Sequence, residues 1–128
     1  MTERQRVSSG SPFEPVFGYS RAVRAGNRVF VSGTVAWGDD GTVVGPDDMY
    51  AQAKQAIANI ETALREAGAS LADVVRTRTF VTDISRFGEV ARAHSEAFGE
   101  VRPAATLVAV TALAGPEMLV EIEADAVV

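Results

Sequence analysis

Val120-Glu121-Ile122-Glu123-Ala124-Asp125-Ala126-Val127 alternates apolar and acidic side chains almost to its end. Such a period of two marks an extended strand, because successive side chains leave a pleated backbone on opposite faces. Val120, Ile122, Ala124, Ala126 and Val128 form an apolar set, while Glu121, Glu123 and Asp125 line the opposite face. Residues 74–82 are rich in β-branched side chains and alternate in the same way, with Val75, Thr77, Thr79 and Val81 on one face. Val74, Arg76, Arg78, Phe80 and Thr82 fall on the other, so two arginines point the same way.

Two helices are predicted from spacing. Over residues 48–67, Met49, Ala53, Ala56, Ile57, Ile60, Ala63, Leu64 and Ala67 recur at intervals of three and four, which places them on one stripe; Gln52, Lys54, Gln55, Glu61 and Arg65 fall elsewhere. Pro46-Asp47-Asp48 supplies starting chemistry with negative charge near the helix N-terminus, and Gly68 offers the left-handed residue that ends such a helix. The many alanines on the stripe suit close packing on a sheet. A second helix over residues 86–99 carries Phe87, Val90, Ala91, Ala97 and Phe98 at helical spacing, with Asp83 or Ser85 as its cap.

Residues 28–32 read as a short strand after the turn Gly26-Asn27, with residues 17–25 as its hairpin partner. Residues 42–44 add a third strand, and residues 105–111 form another continuous apolar run. The order is βββαβαββ, an α+β layout with both helices packed on one face of a single sheet. No repeat or seam interrupts it, so residues 1–128 form one domain, with the polar residues 1–11 as a flexible arm. The second sheet face carries both apolar and charged positions and calls for cover, which predicts a closed homo-oligomer.

Composition excludes several functions. With no cysteine and one histidine, the chain has no disulfide framework, no thiolate metal site and no cysteine nucleophile, and a zinc site is not expected. The formal net charge of −5 disfavours nucleic acid, which rewards gathered basic groups. The N-terminal stretch has no apolar segment after it, so neither a secretory signal nor a membrane anchor is read there, and the cytoplasm is the expected compartment.

Short motifs in a fixed order carry a family resemblance. Gly18-Tyr19-Ser20-Arg21-Ala22-Val23 is similar to a Gly-Pro-Tyr-Ser-Gln-Ala opening without its proline, and Val29-Phe30-Val31-Ser32-Gly33 to a strand ending in Ser-Gly. Residues 52–68 correspond to a long helix, residues 75–83 to a strand ending in Val-x-Asp, and Arg102-Pro103-Ala104 and residues 120–124 to the closing segments. From about residue 15 to residue 127 the chain thus resembles the Rid proteins, the reactive intermediate deaminases also called the YjgF or L-PSP endoribonuclease family.

The resemblance implies a chorismate-mutase-like homotrimer with a ligand cleft at each subunit boundary, hydrolysis of enamines or imines, and no cofactor. It implies that Glu121 positions the attacking water and that Tyr19, Ser32 and Gly33 line the cleft together with Ala105, Thr106 and Leu107. One substitution stands out, because Ala105 occupies the place of the arginine that pairs with the substrate carboxylate. Ala91 takes the place of a further polar residue, often asparagine. Breaking a desolvated charge pair costs about 3–5 kcal/mol, enough to slow turnover of an imino acid by orders of magnitude. A non-catalytic metabolite sensor on the same trimer is the main alternative, ahead of RNA cleavage.

Individual residues have plainer readings as well. Glu121 is either a general base or an acid paired with Arg76 or Arg78 on an exposed face. Thr106 offers a hydroxyl to a neutral ligand or serves the core, and Tyr19 bonds either a ligand or backbone. His94 falls on the apolar stripe of the second helix, where packing is the expected role. Trp37 lies in a turn-rich loop and shields the cleft or caps an oligomer surface. Arg102, three residues before the vacant position and followed by proline, is read as a loop residue that does not substitute for the arginine.

Overall fold

A computed structural model of the chain describes residues 3–128. Its elements are β1 (Arg4–Val7), α1 (Phe13–Phe17), β2 (Ala22–Ala25), β3 (Arg28–Thr34), α2 (Met49–Glu66), β4 (Val74–Val81), α3 (Phe87–Phe98), β5 (Ala104–Ala109) and β6 (Val120–Val127). The six strands form one sheet in the order β1-β2-β3-β6-β4-β5. Only β4 and β5 pair in parallel, joined through α3 as a crossover connection demands. The two long helices pack on one face of this sheet, as the α+β reading expects.

The alternation of β6 makes it the middle of the sheet. Val120, Ile122, Ala124 and Ala126 are almost completely buried and meet the apolar stripe of α2, including Ala53, Ala56, Ile60 and Leu64. Alanine at these points keeps the helix close to the strands. Asp48 caps α2 by accepting a hydrogen bond from the Ala51 N–H at 2.9 Å, and Gly68, at φ +82°, turns the chain out of it.

The sequence reading needs six corrections, the first being that α3 has no side-chain cap, because Asp83 caps the short turn before it by accepting from the Ser85 N–H. The arm predicted for residues 1–11 contains β1, which pairs with β2 through backbone hydrogen bonds that its polar side chains do not advertise; residues 1–2 lie outside the described residues. The segment after β1 is held by Glu14, whose carboxylate accepts hydrogen bonds from Ser8 Oγ at 2.8 Å and from Ser9 Oγ and N–H. Burial pushes this carboxyl upward, but the hydrogen bonds from Ser9 and Ser8 outweigh it and hold it below the usual range. The strand read over 17–25 begins only at Ala22, because Phe13–Phe17 is helical and Gly18 ends it in the left-handed region.

The third strand expected at 42–44 is a single bridge between Trp37 and Val43. Its backbone is consumed by a turn in which Gly38 donates to the Thr42 carbonyl and Asp40 accepts from the Thr42 N–H. A register shift between Val74 and Arg76 reverses the start of β4, so Val74 is buried and Val75 is 47% exposed. Gln52, read as lying off the stripe, is fully buried. Its amide nitrogen donates to the Glu117 and Gly45 carbonyls at 2.9 and 3.2 Å, and its oxygen accepts from the Leu119 N–H at 2.9 Å.

Gln52 therefore fastens the loops entering α2 and β6 to the core. Replacing it with alanine strands the Leu119 N–H and two carbonyls, and Gln52→Ala is expected to lower unfolding free energy by about 2–4 kcal/mol. Denaturant titration of the variant measures this; a loss near zero would contradict the assignment.

Candidate functional site

Around Gly33 the β3–β6 pairing shifts register between Val31 and Thr34, opening the ladder. Ser32 donates its hydroxyl to the Ser20 carbonyl at 2.6 Å, and the Thr34 hydroxyl donates to the Ser32 carbonyl at 2.7 Å. Arg21 locks the segment from the β2 side. Its two terminal nitrogens donate to the Gly33 carbonyl at 3.0 Å and to Thr34 Oγ1 at 3.1 Å. A Cβ on Gly33 would collide with the Glu121 carboxylate, standing 2.9 Å from its Cδ and closer still to Oε2. Glycine there lets the Glu121 carboxylate lie across the strand; a Cβ would push that side chain aside.

Glu121 is half-buried on the open face of the sheet, opposite Phe80 of β4. It is not paired with an arginine of that face: Arg78 bonds Glu123 at 3.1 Å and Asp125 at 3.4 Å. Glu121 itself makes no hydrogen bond or ion pair among the described residues. Burial pushes its carboxyl above the usual range, the nearby Arg21 charge pulls it back, and Glu123 adds to the rise. A carboxylate without a partner and with raised proton affinity is equipped to take a proton from water.

Arg21 is the residue that sequence reasoning passed over. It is 9% exposed, its Nε is buried without a partner among the described residues, and its guanidinium stands 5.5 Å from the Tyr19 ring centroid. The signal was present, since Arg21 stands where the resembled opening has a neutral glutamine. Tyr19 also meets Phe17 edge-on at 5.9 Å, and its hydroxyl has no hydrogen bond among the described residues. Tyr19, Ser32, Gly33 and Glu121 thus belong to one neighbourhood on the segment before β2, on β3 and on β6.

Ala105, Thr106 and Leu107 form a second neighbourhood. They line a cavity of about 430 Å³ between β5 and α3, together with Phe87, Ala91 and His94. Ala91 and Ala105, the two positions where the resemblance implies polar groups, border the same space. The Arg102 side chain is not among its lining residues, and Arg102 adopts φ +54° with its N–H on the Phe98 carbonyl. Val110 donates its N–H to Val81, so by strand alternation Leu107 and Ala105 turn their backbone groups from β4 toward the free edge.

Within one protomer the two neighbourhoods do not converge. Two strand spacings, roughly 10 Å, separate β6 from β5, and Glu121 faces the open side while Ala105 and Leu107 share the helix side with Thr77 and Thr79. Trp37 is not among the residues lining the β5–α3 cavity. It stacks on Phe13 at 6.4 Å and lines a larger cavity of about 650 Å³ with Arg21, Thr34, Asn59 and the segment after β1. Among the described residues no cluster of three or more His, Asp and Glu side chains could hold a metal ion, and no helix is long and apolar enough to cross a membrane.

Comparison with known proteins gives these neighbourhoods a context. A solved Mycobacterium tuberculosis structure, from a member of the highly conserved YjgF/YER057c/UK114 family, superposes with a TM-score of 0.90 at 56% identity, covering 98% of this chain and all of that one. An uncharacterized Streptomyces coelicolor protein is 41% identical over 122 residues, 95% of this chain and 90% of its own length. The 3-aminoacrylate deaminase RutC of Acinetobacter baylyi is 34% identical over 116 residues, 91% of this chain and 90% of its own. The family model for endoribonuclease L-PSP matches residues 10–128. With its sheet, its glycine-backed Glu121 and its β5–α3 cavity, the chain belongs to the L-PSP endoribonuclease family, the Rid or YjgF family.

Proposed function

We propose that the chain is a cytoplasmic homotrimer that binds a small metabolite in clefts completed between subunits and hydrolyses a carbon–nitrogen double bond there. The observation that carries this reading is Glu121, an unpaired, half-buried carboxylate laid over Gly33 with its proton affinity raised. A half-buried acid without a partner is a stability liability, and such liabilities concentrate at working sites. The relative named as a 3-aminoacrylate deaminase supports the same chemistry, because an enamine becomes an imine by protonation at carbon.

Assembly follows from the separation of the two neighbourhoods. A cyclic arrangement brings the β5–α3 cavity of one copy against the Tyr19, Ser32 and Glu121 group of the next, a heterologous contact that closes into a ring. The open sheet face favours burial, with Phe30 at 44% and Val108 at 42% exposed beside the Arg78 ion pairs. In the assembled cleft Glu121 accepts a proton as water oxygen bonds to the imine carbon. The protonated Glu121 returns that proton to nitrogen to give a carbinolamine; Glu121 then takes the hydroxyl proton and passes it to nitrogen as the carbon–nitrogen bond breaks, so ammonia leaves a carbonyl product. Outward-facing backbone N–H groups at Ala105 and Leu107 hold the substrate's polar end.

The same cavity argues against 2-imino acids as preferred substrates, because Ala105 offers a carboxylate no counter-charge. It also favours the second reading, a binding protein without turnover, since Ala91 and Ala105 reduce the polar groups available. RNA cleavage fits poorly: the chain carries net charge −5, and its one histidine is held against Thr77.

Ala105→Arg is expected to raise kcat/KM for 2-imino acids by about 100-fold or more, the equivalent of a restored charge pair, measured as ammonia release. An unchanged rate would refute the vacant-clamp reading. Glu121→Gln should abolish hydrolysis of any imine the parent accepts and melt higher than the parent at neutral pH. Because the folded-state pKa is raised, the parent's disadvantage is complete above it and disappears as pH falls below the unfolded value. Thermal unfolding across pH 3–8, on the order of that titration range, tests this sign; turnover retained in the variant would remove Glu121 from the chemistry. Sedimentation at a mass other than three chains would overturn the trimer.

A further inference from the structure

We infer that the cavity between α3 and β5 receives an uncharged ligand, a carbonyl, amide or imine on an apolar body, with His94 as its polar anchor. This deepens the proposed function by naming the ligand class of the same cleft, and it rests on that reading for the cleft's role. Within one protomer no Lys or Arg side chain among the described residues lines the cavity, and the charged group that the proposed assembly brings to it is the acid Glu121. An anionic ligand entering it would leave water with no opposite charge and meet a carboxylate, whereas Phe87, Val90, Ala91 and Leu107 provide apolar contact.

His94 is set up for this role on two sides. Its Nε2 lies 2.9 Å from Thr77 Oγ1, a hydroxyl buried beneath the helix, and its ring packs on Phe98 with centroids 4.8 Å apart. Those contacts fix the ring and occupy Nε2, leaving Nδ1 as the nitrogen for a ligand. Among the described residues Nδ1 has no partner, and the sole buried side-chain nitrogen or oxygen without one is Arg21 Nε, so Nδ1 is within reach of solvent. Whichever tautomer the Thr77 contact selects, Nδ1 presents one donor or one acceptor. Burial lowers the imidazole's proton affinity, which keeps that group neutral near pH 7. A neutral hydrogen-bonding group in an apolar recess selects a neutral polar partner.

The chain's single histidine gives one pair of ring-nitrogen signals in nitrogen-detected NMR, so the intact protein can be titrated directly with two probes of matched size, benzamide and benzoate. Benzamide is expected to shift the His94 resonances saturably, with benzoate weaker by about tenfold or more. His94→Phe should weaken benzamide binding by about tenfold, and His94→Gln, which keeps a hydrogen-bonding group, should recover part of it. Ala105→Arg should invert the preference toward benzoate, a test independent of whether the His94 variants fold. Benzoate binding as tightly as benzamide to the parent, or no saturable His94 shift with any probe, would overturn the inference. Benzamide binding without hydrolysis of any imine would refute the enzymatic reading and leave this one standing; hydrolysis of carboxylate-free imines with a silent His94 would do the reverse.

Discussion

Everything in this structure is arranged about the two-faced character of β6. Flanked by β3 and β4, it must place apolar side chains at every second position to meet α2, and that fixes which residues stand on the reverse. A one-residue slip would turn Glu121, Glu123 and Asp125 into the core, so the register is strongly specified. The same requirement delivers Glu121 to the open face at the level where β3 loses its regular pairing. Core and candidate site are two sides of one strand.

The site itself depends on short-range fit more than on charge. Gly33 is bare so that a carboxylate can lie on it, and Arg21 fixes the Gly33 carbonyl and the Thr34 hydroxyl beneath. Arg21 contributes charge to two acids at once, drawing Glu14 on one side and Glu121 on the other toward their ionised forms. Segment docking after β1 and acidity at the open face therefore share a single guanidinium. The cavity under β5 is built on opposite lines, from small and apolar side chains, a few hydroxyls and an imidazole.

Elements whose burial dictates their side-chain pattern were legible in the sequence. The stripe of α2, the alternation of β6 and most of β4, and the stop at Gly68 all follow from apolar periodicity and backbone sterics. What escaped was set by partners distant along the chain. β1 is an edge strand paired through its backbone, so Arg4, Gln5 and Arg6 show no apolar period. Gln52 looks like a surface amide until the loops ending at Gly45 and Leu119 close over it. Val74 and Val75 exchange faces because of a bulge that no local pattern announces. Of the proposed site, Glu121 and the Ser32-Gly33 turn were picked out by motif order; Arg21 and His94 drew notice only from the groups that the fold sets against them.

The strand at the sheet's centre follows all the others in the chain, and this shapes how the protein must be made. Without β6, β1-β2-β3 and β4-β5 have no strand hydrogen bonds between them. Both expose strand edges that only β6 can occupy, so the nascent chain passes through a stage open to pairing with a neighbour. Closure then joins residues about ninety positions apart, as Val31 finds Ala124, a long-range step of the kind that slows folding. Any event that removes or delays the final strand leaves two half-sheets sharing one helix layer, a species suited to aggregation or capture by a chaperone.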